Sequence, residues 1–323
     1  IAPAFGDDDF KIGKREKIPM VQHVGMDGRF KLEVTDFAGQ EVRPKSDDDR
    51  ERLSADIAIV KYLQDHGLFF VKQNITHTYP HCWRCDTPLL NYATSSWFVK
   101  VTKIKNKALK LAKKINWSPE HIKEGRFGKW LEGARDWSIS RQRFWASVMP
   151  VWQCGGKNAE LRIKNEECEN VVVMGSVAEL EKVSGQSVQD LHKHIVDEIT
   201  FPCEKCGGVM RRIPDVLDTW FDSGSMPYAQ VHYPFSGRAG SASGGENKEK
   251  FEHSFPAEFI AEGQDQTRAW FYYLHLLGTA LFGKRAFTNV IVNGIVLAED
   301  GKKMAKKLQN YPDPNVIFEK YGA

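Results

Sequence analysis

Phe259-Ile260-Ala261-Glu262-Gly263-Gln264-Asp265-Gln266-Thr267-Arg268-Ala269-Trp270-Phe271 is the stretch that decides the fold. Its apolar start, Glu258–Ala261, predicts a strand, and apolar residues at helical spacing follow from Trp270 to Leu281. In an open α/β sheet, such a strand-to-helix turn lies at the carboxyl edge, where ligands bind. Three side chains there can accept hydrogen bonds from ribose hydroxyls or an ammonium group: Glu262, Asp265 and Gln266. The alternative is a helix-capping cluster that binds nothing.

The bulk composition indicates an ordinary globular protein of more than one domain. The chain has 323 residues, of which 41% are hydrophobic and 27% charged, and a formal net charge of +3. Nucleic-acid contact would therefore come from local patches. No apolar run approaches the roughly 20 residues that span a bilayer, and no signal peptide is visible, so we expect a cytoplasmic protein. Because it starts at Ile1 and stops after a helical pattern, we expect a piece of a longer protein.

Six cysteines include two Cys-x-x-Cys pairs, Cys82/Cys85 and Cys203/Cys206. This spacing favours zinc over disulfides in a chain without a secretory signal. We expect one tetrahedral structural site, because zinc does not dictate the loop length between its ligands. Its four ligands would be Cys154, Cys168, Cys203 and Cys206. A degraded half-site is the alternative, and Cys82 and Cys85 either have partners outside these residues or are free.

Elsewhere, hydrophobic periodicity and turn residues predict short elements. We expect a turn-rich loop at Pro3–Asp9, strands at Val21–Val24, Phe30–Val34 and Trp97–Val101, a helix at Asp47–His66, a strand running into a glycine turn at Val216–Gly224, and a mobile loop at Ser236–Lys250.

Two segments are rich in lysine. A predicted helix from Val101 to Ile115 carries six lysines, and Lys302–Lys307 has four lysines in six residues. Each is either a solvated surface or a phosphate contact, with RNA as the partner of the helix. The aromatic and arginine-rich segment Gly128–Trp145 either packs internally or lines an anionic groove.

Six segments, in order along the chain, together resemble the isoleucyl-tRNA synthetases, a family of class I aminoacyl-tRNA synthetases. They are Ala2-Pro3-Ala4-Phe5-Gly6 with Asp8-Asp9, Tyr79–Pro88, Arg135–Arg143, Trp220-Phe221-Asp222-Ser223-Gly224, Glu262–Gln266 with Arg268 and Trp270-Phe271, and Lys303–Lys307. Tyr311-Pro312-Asp313-Pro314 resembles the archaeal and eukaryotic-like type. Valyl and leucyl enzymes are the nearest rivals, but the acidic Glu262–Gln266 segment is similar to the isoleucine version.

The resemblance implies an α/β chain. It would hold half of a Rossmann-like class I synthetase catalytic domain, a zinc-binding insertion and the C-terminal part of a β-rich editing domain. The implied boundaries are 1–95 for the editing part with half a zinc knuckle, 96–145 for a return segment of the catalytic domain, 146–213 for the zinc-binding insertion, and 214–323 for the catalytic half that ends after the lysine loop.

The resemblance also implies a ligase that uses ATP, Mg²⁺ and Zn²⁺ to join isoleucine to tRNA(Ile) through isoleucyl-adenylate, as a monomer in its full-length form. One methylene contributes only about 1–3 kcal/mol of binding free energy, so binding alone cannot exclude valine; the isoleucine/valine pair is the usual example of this limit. Mischarged valine would therefore be hydrolysed. The implied roles are phosphate contact for Lys303 and Lys306, adenylate binding for Glu262, Gly263, Asp265 and Gln266, amino-acid pocket walls for Trp220 and Trp270, and editing for Asp9. A plain polar loop is the alternative for Asp9.

The chain departs from the family pattern at several positions. Ala305 and Lys307 stand where serine is usual, and Ala269 stands where glycine is usual. The His-containing nucleotide motif of the sheet's first half is absent, so we expect these 323 residues alone to be inactive. The alternatives are a non-catalytic synthetase-derived module that binds tRNA and zinc, or a valyl-type synthetase.

Overall fold

The structure, a computed structural model, describes residues 1–46, 48–73, 75–82, 86–155, 168–235, 246–304 and 308–322. The chain divides into two units, Ile1–Ser95 and Ser96–Ala323. No helix in the described part of the chain is long and apolar enough to cross a membrane.

The first unit is built from short helices. They are α1 (Asp7–Glu16), α2 (Asp49–Arg52) and α3 (Ser54–Asp65), with a 3-10 turn at Thr35–Phe37. The predicted helix at Asp47–His66 is confirmed as the pair α2 and α3, interrupted at Leu53, while Asp47 lies outside the described residues. Asp48 begins this pair, because its side chain accepts hydrogen bonds from the backbone N–H groups of Arg50 and Glu51.

One sequence prediction for this unit was wrong, and another was correct only for the turn at residues 3–5. The segments Val21–Val24 and Phe30–Val34 form only an isolated bridge between Val24 and Phe30. Leu32 is 84% exposed, so no packed face stabilises a ladder there. The predicted loop Pro3–Asp9 instead runs into α1, whose first turn holds three aspartates that favour the positive end of the helix dipole.

The described residues of the second unit form eleven short strands. They are β1 (Phe98–Val99), β2 (Asn116–Ser118), β3 (Trp137–Ser138), β4 (Ser140–Arg141), β5 (Val151–Cys154), β6 (Val171–Val173), β7 (Phe201–Pro202), β8 (Val209–Arg212), β9 (Val216–Leu217), β10 (Ala257–Gly263) and β11 (Phe287–Asn293). Its helices are α4 (Val101–Ala112), α5 (Lys129–Glu132), α6 (Val177–Ser184), α7 (Lys193–Val196), α8 (Thr219–Ala229), α9 (Glu246–Ser254), α10 (Trp270–Leu277) and α11 (Pro314–Tyr321). There are π-helical turns at Lys123–Gly128 and Gly278–Phe282, and a 3-10 turn at Gln264–Arg268.

A parallel sheet in the order β10–β11–β2 organises this unit. Its helices cover a core whose fully buried members include Phe127, Phe271 and Phe287. Burying aromatic rings of this size is the main source of stability for such a layer. The predicted α/β class is confirmed by these parallel strands and the helices packed with them.

An antiparallel sheet in the order β6–β5–β8–β7 lies within residues 151–212 and has its own core. Trp152 is 1% exposed and donates its indole N–H to the carbonyl of Ile199 at 2.9 Å. This satisfied, buried tryptophan packs among the cysteines described below.

The structure differs from three further sequence predictions. Val216–Gly224 does not end in a turn, because α8 starts at Thr219 and continues through Gly224. The predicted strand Trp97–Val101 is reduced to β1, and Val101 already begins α4. Of the predicted mobile loop, residues 236–245 lie outside the described part, and Glu246–Lys250 belongs to α9.

Candidate functional site

The carboxyl edge of the parallel sheet carries the candidate ligand site. β10 ends with Glu262 and Gly263, which pair with Val292 and Asn293 of β11. Because the two strands are parallel, the segments that follow them, 264–268 and 294–304, leave from the same edge. The predicted adenylate residues and the hairpin that carries Lys303 therefore start from one edge of the sheet.

Glu262–Trp270, which we call the ligand turn, combines free and bound polar groups. Gln266 accepts a hydrogen bond from the backbone N–H of Trp270 at 3.1 Å and donates to Asp265 at 3.1 Å. Gln266 thus caps α10, which is the role that the alternative interpretation assigned to the cluster. Within the described residues, the carboxylate of Glu262 makes no hydrogen bond and is exposed. The turn can therefore offer acceptors while its own shape is fixed.

Thr267 and Arg126, which the sequence did not indicate as site residues, form hydrogen bonds with the backbone of the ligand turn. The hydroxyl of Thr267, which is fully buried, donates to the carbonyl of Gln264 at 2.7 Å. The guanidinium Nε of Arg126 donates to that hydroxyl at 3.0 Å and lies 3.2 Å from the same carbonyl. Arg126 lies in a π-helical turn, a feature frequent at functional sites. Its position 138 residues away in sequence gave no local signal.

The two predicted pocket tryptophans lie on packed helices. Trp270 at the start of α10 donates its indole N–H to the carbonyl of Ser223 on α8 at 3.1 Å. Trp220 lies in the first turn of α8 and stacks on Tyr273 of α10, with ring centroids 5.7 Å apart and 13° between the planes. Trp220 is 37% exposed and Trp270 is half-buried, so each leaves a flat apolar surface for contact.

A buried aspartate orients Trp220. Asp218 caps α8 by accepting the backbone N–H of Trp220 at 2.7 Å and forms an ion pair with Arg141. The side chain of Asp218 is 5% exposed, and its charge is compensated by that arginine. One helical turn later, burial raises the pKa of Asp222 despite a hydrogen bond from Ser147, and the charge of Asp218 adds to the increase.

The predicted phosphate contacts are described in part. Lys303 forms an antiparallel bridge with Leu297, and its carbonyl accepts a hydrogen bond from Asn310 at 3.3 Å. Its ammonium group is exposed and makes no ion pair within the described residues. Lys306, with Ala305 and Lys307, lies outside them, so its role stays a prediction.

Four thiols converge in the 151–212 region, as the cysteine spacing predicted. The Sγ atoms of Cys154, Cys168, Cys203 and Cys206 all lie within 4.8 Å of one another. The separations are 3.4 Å between Cys154 and Cys206 and 3.9 Å between Cys168 and Cys203. A tetrahedron with Zn–S bonds of about 2.3 Å has S–S edges of about 3.8 Å, so the donor set fits a zinc ion.

Two of the four sulfur atoms accept hydrogen bonds from N–H groups. The amide of Asn170 donates to Sγ of Cys203 at 3.3 Å, and the N–H of Gly208 donates to Sγ of Cys206 at 3.4 Å. Burial opposes ionisation of Cys203, but N–H donors from Asn170 and the backbone of Cys206 and Lys205 lower its pKa to about 6. Such donors around sulfur are typical of metal-thiolate sites.

The predicted sites in the first unit are simpler. Asp9 lies in the first turn of α1 and accepts a hydrogen bond from the backbone N–H of Ala2 at 3.1 Å. The carbonyl of Cys82 accepts a hydrogen bond from the backbone N–H of Asp86 at 2.8 Å. Cys85 lies outside the described residues, so the half knuckle stays a prediction.

A family model and several known proteins that match this chain are described as tRNA synthetases or tRNA ligases. Residues 29–323 match the family model described as tRNA synthetases class I (I, L, M and V). The whole chain is 51% identical to the isoleucine–tRNA ligase of Treponema denticola over 322 residues, and 49% and 48% identical over 323 residues to those of Chlamydia abortus and Treponema pallidum. It spans 26%, 28% and 27% of these proteins, about a quarter of their length.

A solved structure, the LeuRS of Agrobacterium radiobacter K84 in a ternary complex with tRNA and LeuAMS, has a TM-score of 0.36 and 22% identity over 64% of this chain and 26% of that one. That likeness is too small to support a conclusion. The relatives above are bacterial, so the archaeal and eukaryotic-like assignment drawn from Tyr311–Pro314 was wrong. The family match over residues 29–323 agrees with the parallel sheet and its ligand turn, and the chain belongs to the class I tRNA synthetases (I, L, M and V).

Proposed function

We propose that the protein carrying these residues is an isoleucyl-tRNA synthetase. The observation that carries this proposal is the match of the whole of this chain, at 48–51% identity, to about a quarter of proteins named isoleucine–tRNA ligase. The ligand turn at the carboxyl edge of a parallel sheet supports it, because nucleotides bind at that edge in open α/β folds.

In the proposed reaction, a carboxylate oxygen of isoleucine attacks the α-phosphorus of ATP. The bond between the α-phosphorus and the oxygen that bridges it to the β-phosphorus breaks, and pyrophosphate leaves. A ribose hydroxyl of tRNA(Ile) then attacks the carbonyl carbon of the adenylate, and AMP leaves. The protein mainly positions the reactants and neutralises charge. Mg²⁺ would supply part of that neutralisation at the phosphates.

Each predicted residue has a role that suits its chemistry. Glu262 and Asp265 would accept hydrogen bonds from the ribose or the ammonium group, and Gly263 would let the substrate approach the backbone. Gln266 would fix the turn through its cap on α10, as its bond to Trp270 suggests. The pocket for the branched side chain would be walled by Trp220 and Trp270, and the phosphates would be held by Lys303 and Lys306.

Editing and zinc complete the proposal. We infer that Ile1–Ser95 belongs to an editing domain in which the carboxylate of Asp9 binds the ammonium group of mischarged valine. The thiolates of Cys154, Cys168, Cys203 and Cys206 would hold zinc in a structural role, since four protein ligands leave no open position for chemistry. We also propose that the full-length protein is cytoplasmic and monomeric.

Amino-acid-dependent ATP–pyrophosphate exchange by the full-length gene product tests the proposal. We expect exchange with isoleucine, much weaker exchange with valine and none with leucine. A preference for valine would assign the protein to the valyl type, and a complete absence of exchange would favour a non-catalytic module. The isolated 323 residues are expected to show no exchange, because half of the ATP site is proposed to lie outside them.

A further inference from the structure

We propose that one surface of the catalytic unit binds the phosphate backbone of tRNA, on the outer side of α4 and the neighbouring turn. This surface, called the basic face, consists of Lys103, Lys107, Lys110, Lys114, Lys284 and Arg285. The inference rests on the proposed function, which names tRNA as substrate. It concerns a surface that shares no residue with the ligand turn or with Arg126, which supports that turn.

The charge of this region is unusually one-sided. The whole chain is nearly balanced, with 45 Lys and Arg against 42 Asp and Glu. Residues 87–119, in contrast, contain seven lysines and no acidic residue. A local excess of this kind is what a nearly neutral chain needs in order to bind a polyanion.

The helix geometry collects the lysines on one side. Val101, Ala108 and Ala112 of α4 are buried in the core. Lys103, Lys107, Lys110 and Lys114 follow at steps of four, three and four residues, which places them together on the opposite side. All four side chains are exposed.

The turn after the second π-helical segment extends this surface. A Cβ atom at Gly283 would lie 2.5 Å from Nζ of Lys107, so the lysine lies directly against that turn. Arg285 donates a hydrogen bond to the carbonyl of Lys114. Lys284, between these two contacts, is exposed. The six cations are therefore contiguous.

The stability of α4 does not explain these residues. Within the described chain, none of the six forms an ion pair, whereas Lys248 and Lys250 on α9 pair with Glu252 and Glu246. Like charges four residues apart on a helix repel each other. Lys103 lies in the first turn, where the helix dipole disfavours a cation. Binding of a polyanion neutralises these positive charges and accounts for the lysines.

The composition of the face favours RNA over a protein or a lipid surface. α4 exposes no large apolar residue, whereas protein interfaces are depleted of lysine at their centre and membrane-surface helices insert an apolar side. The 12-residue helix is about 18 Å long, and a double-stranded nucleic acid carries about ten charges over that distance. Exposed lysines suit such a target, because they act as mobile point charges.

The test compares two double variants of the full-length gene product. Lys103→Gln/Lys110→Gln removes two cations from the basic face, and Lys248→Gln/Lys250→Gln removes two ion-paired cations from α9. Glutamine keeps helix propensity similar, and circular dichroism checks folding. The dissociation constant for tRNA(Ile) is measured over a series of KCl concentrations, and ATP–pyrophosphate exchange is measured in parallel.

We expect the first variant to bind tRNA about tenfold more weakly at moderate salt, with a logarithmic salt slope smaller by about two. The α9 variant should match the wild type, and exchange should be unchanged in both. An unchanged slope for Lys103→Gln/Lys110→Gln would overturn the proposal. The proposal would also be overturned if this variant bound tRNA as the wild type does but no longer bound polyglutamate or phosphatidylserine vesicles. That result would indicate an acidic protein or a lipid partner. If wild type shows no isoleucine-dependent exchange, the proposed function fails while the RNA-binding result stands by itself.

Discussion

Replacing Thr267 with valine removes one hydroxyl from beneath the ligand turn while keeping a branched side chain of similar size. Two hydrogen bonds are lost, from the hydroxyl to the carbonyl of Gln264 and from Arg126 to the hydroxyl. Each such bond contributes about 0.5–1.5 kcal/mol net, and Arg126 retains its bond to the carbonyl. We therefore expect a loss of about 1–3 kcal/mol in the free energy of unfolding.

The same change should affect activity more than stability. Asp265 and Gln266 lie between Gln264 and Thr267, so loosening the turn moves the groups proposed to line the adenylate. A displacement of about 1 Å in a positioned group can cost about 100-fold in rate. We expect kcat/KM for isoleucine-dependent exchange to fall at least tenfold, measured on the full-length gene product beside its urea denaturation curve.

Thr279→Val is the matched control. Thr279 is also buried, at 2% exposure, but its hydroxyl has no hydrogen-bond partner in the part of the chain that the structure describes. Removing an unsatisfied hydroxyl should leave stability unchanged or increased and leave exchange intact. The reasoning is refuted if Thr267→Val behaves like wild type, or if both variants lose the same stability and activity.

Three further changes should have distinct effects. His275 is fully buried, and burial lowers its pKa to about 4, so the unfolded state binds a proton before the folded state does as pH falls. About 3 kcal/mol of stability should therefore be present above pH 6.5 and lost toward pH 4. His275→Leu should flatten this part of the curve of unfolding free energy against pH. Cys203→Ser should lower the zinc content of the purified protein by one ion per chain, measured by atomic emission. Gly224→Ala should cost about 1–3 kcal/mol in thermal denaturation, because a Cβ there would lie 3.0 Å from Leu277 and 3.1 Å from the backbone of Tyr273.

Each of these predictions has its own contrary result. An unaltered pH profile for His275→Leu would show that this histidine does not contribute to acid unfolding. Unchanged zinc content in Cys203→Ser would remove the four-thiolate proposal. For Gly224→Ala, a melting temperature at or above that of wild type would show that α8 and α10 accommodate the added methyl group without a loss of stability.

Local patterns correctly predicted several elements. The apolar run and Gly263 predicted β10 and its turn, and the spacing of apolar residues predicted α3, α4 and α10. These succeed because periodicity reflects which face a helix or strand buries. The expected set of four cysteines also converges, although only Cys203 and Cys206 among them have the Cys-x-x-Cys spacing. Zinc at that cluster stays a prediction.

Local patterns failed where packing decided the outcome. Gly224 suggested a turn, but the structure uses its missing side chain to bring α8 against α10. The segment Phe30–Val34 has strand-like residues, yet no neighbouring layer of the described chain buries its Leu32. Propensity differences of this kind are small compared with the free energy of tertiary contacts.

The sequence by itself determined the order of strand, turn and helix at Glu262–Trp270 and the residue types that the site needs. Only the tertiary structure showed what holds that turn in place. Arg126 reaches it across 138 residues, and Thr267 supports it with a hydroxyl that ordinary pattern reading treats as neutral. The physical reason is that hydrogen-bond and packing partners are chosen by the path of the whole chain, whereas periodicity records only the environment of each segment.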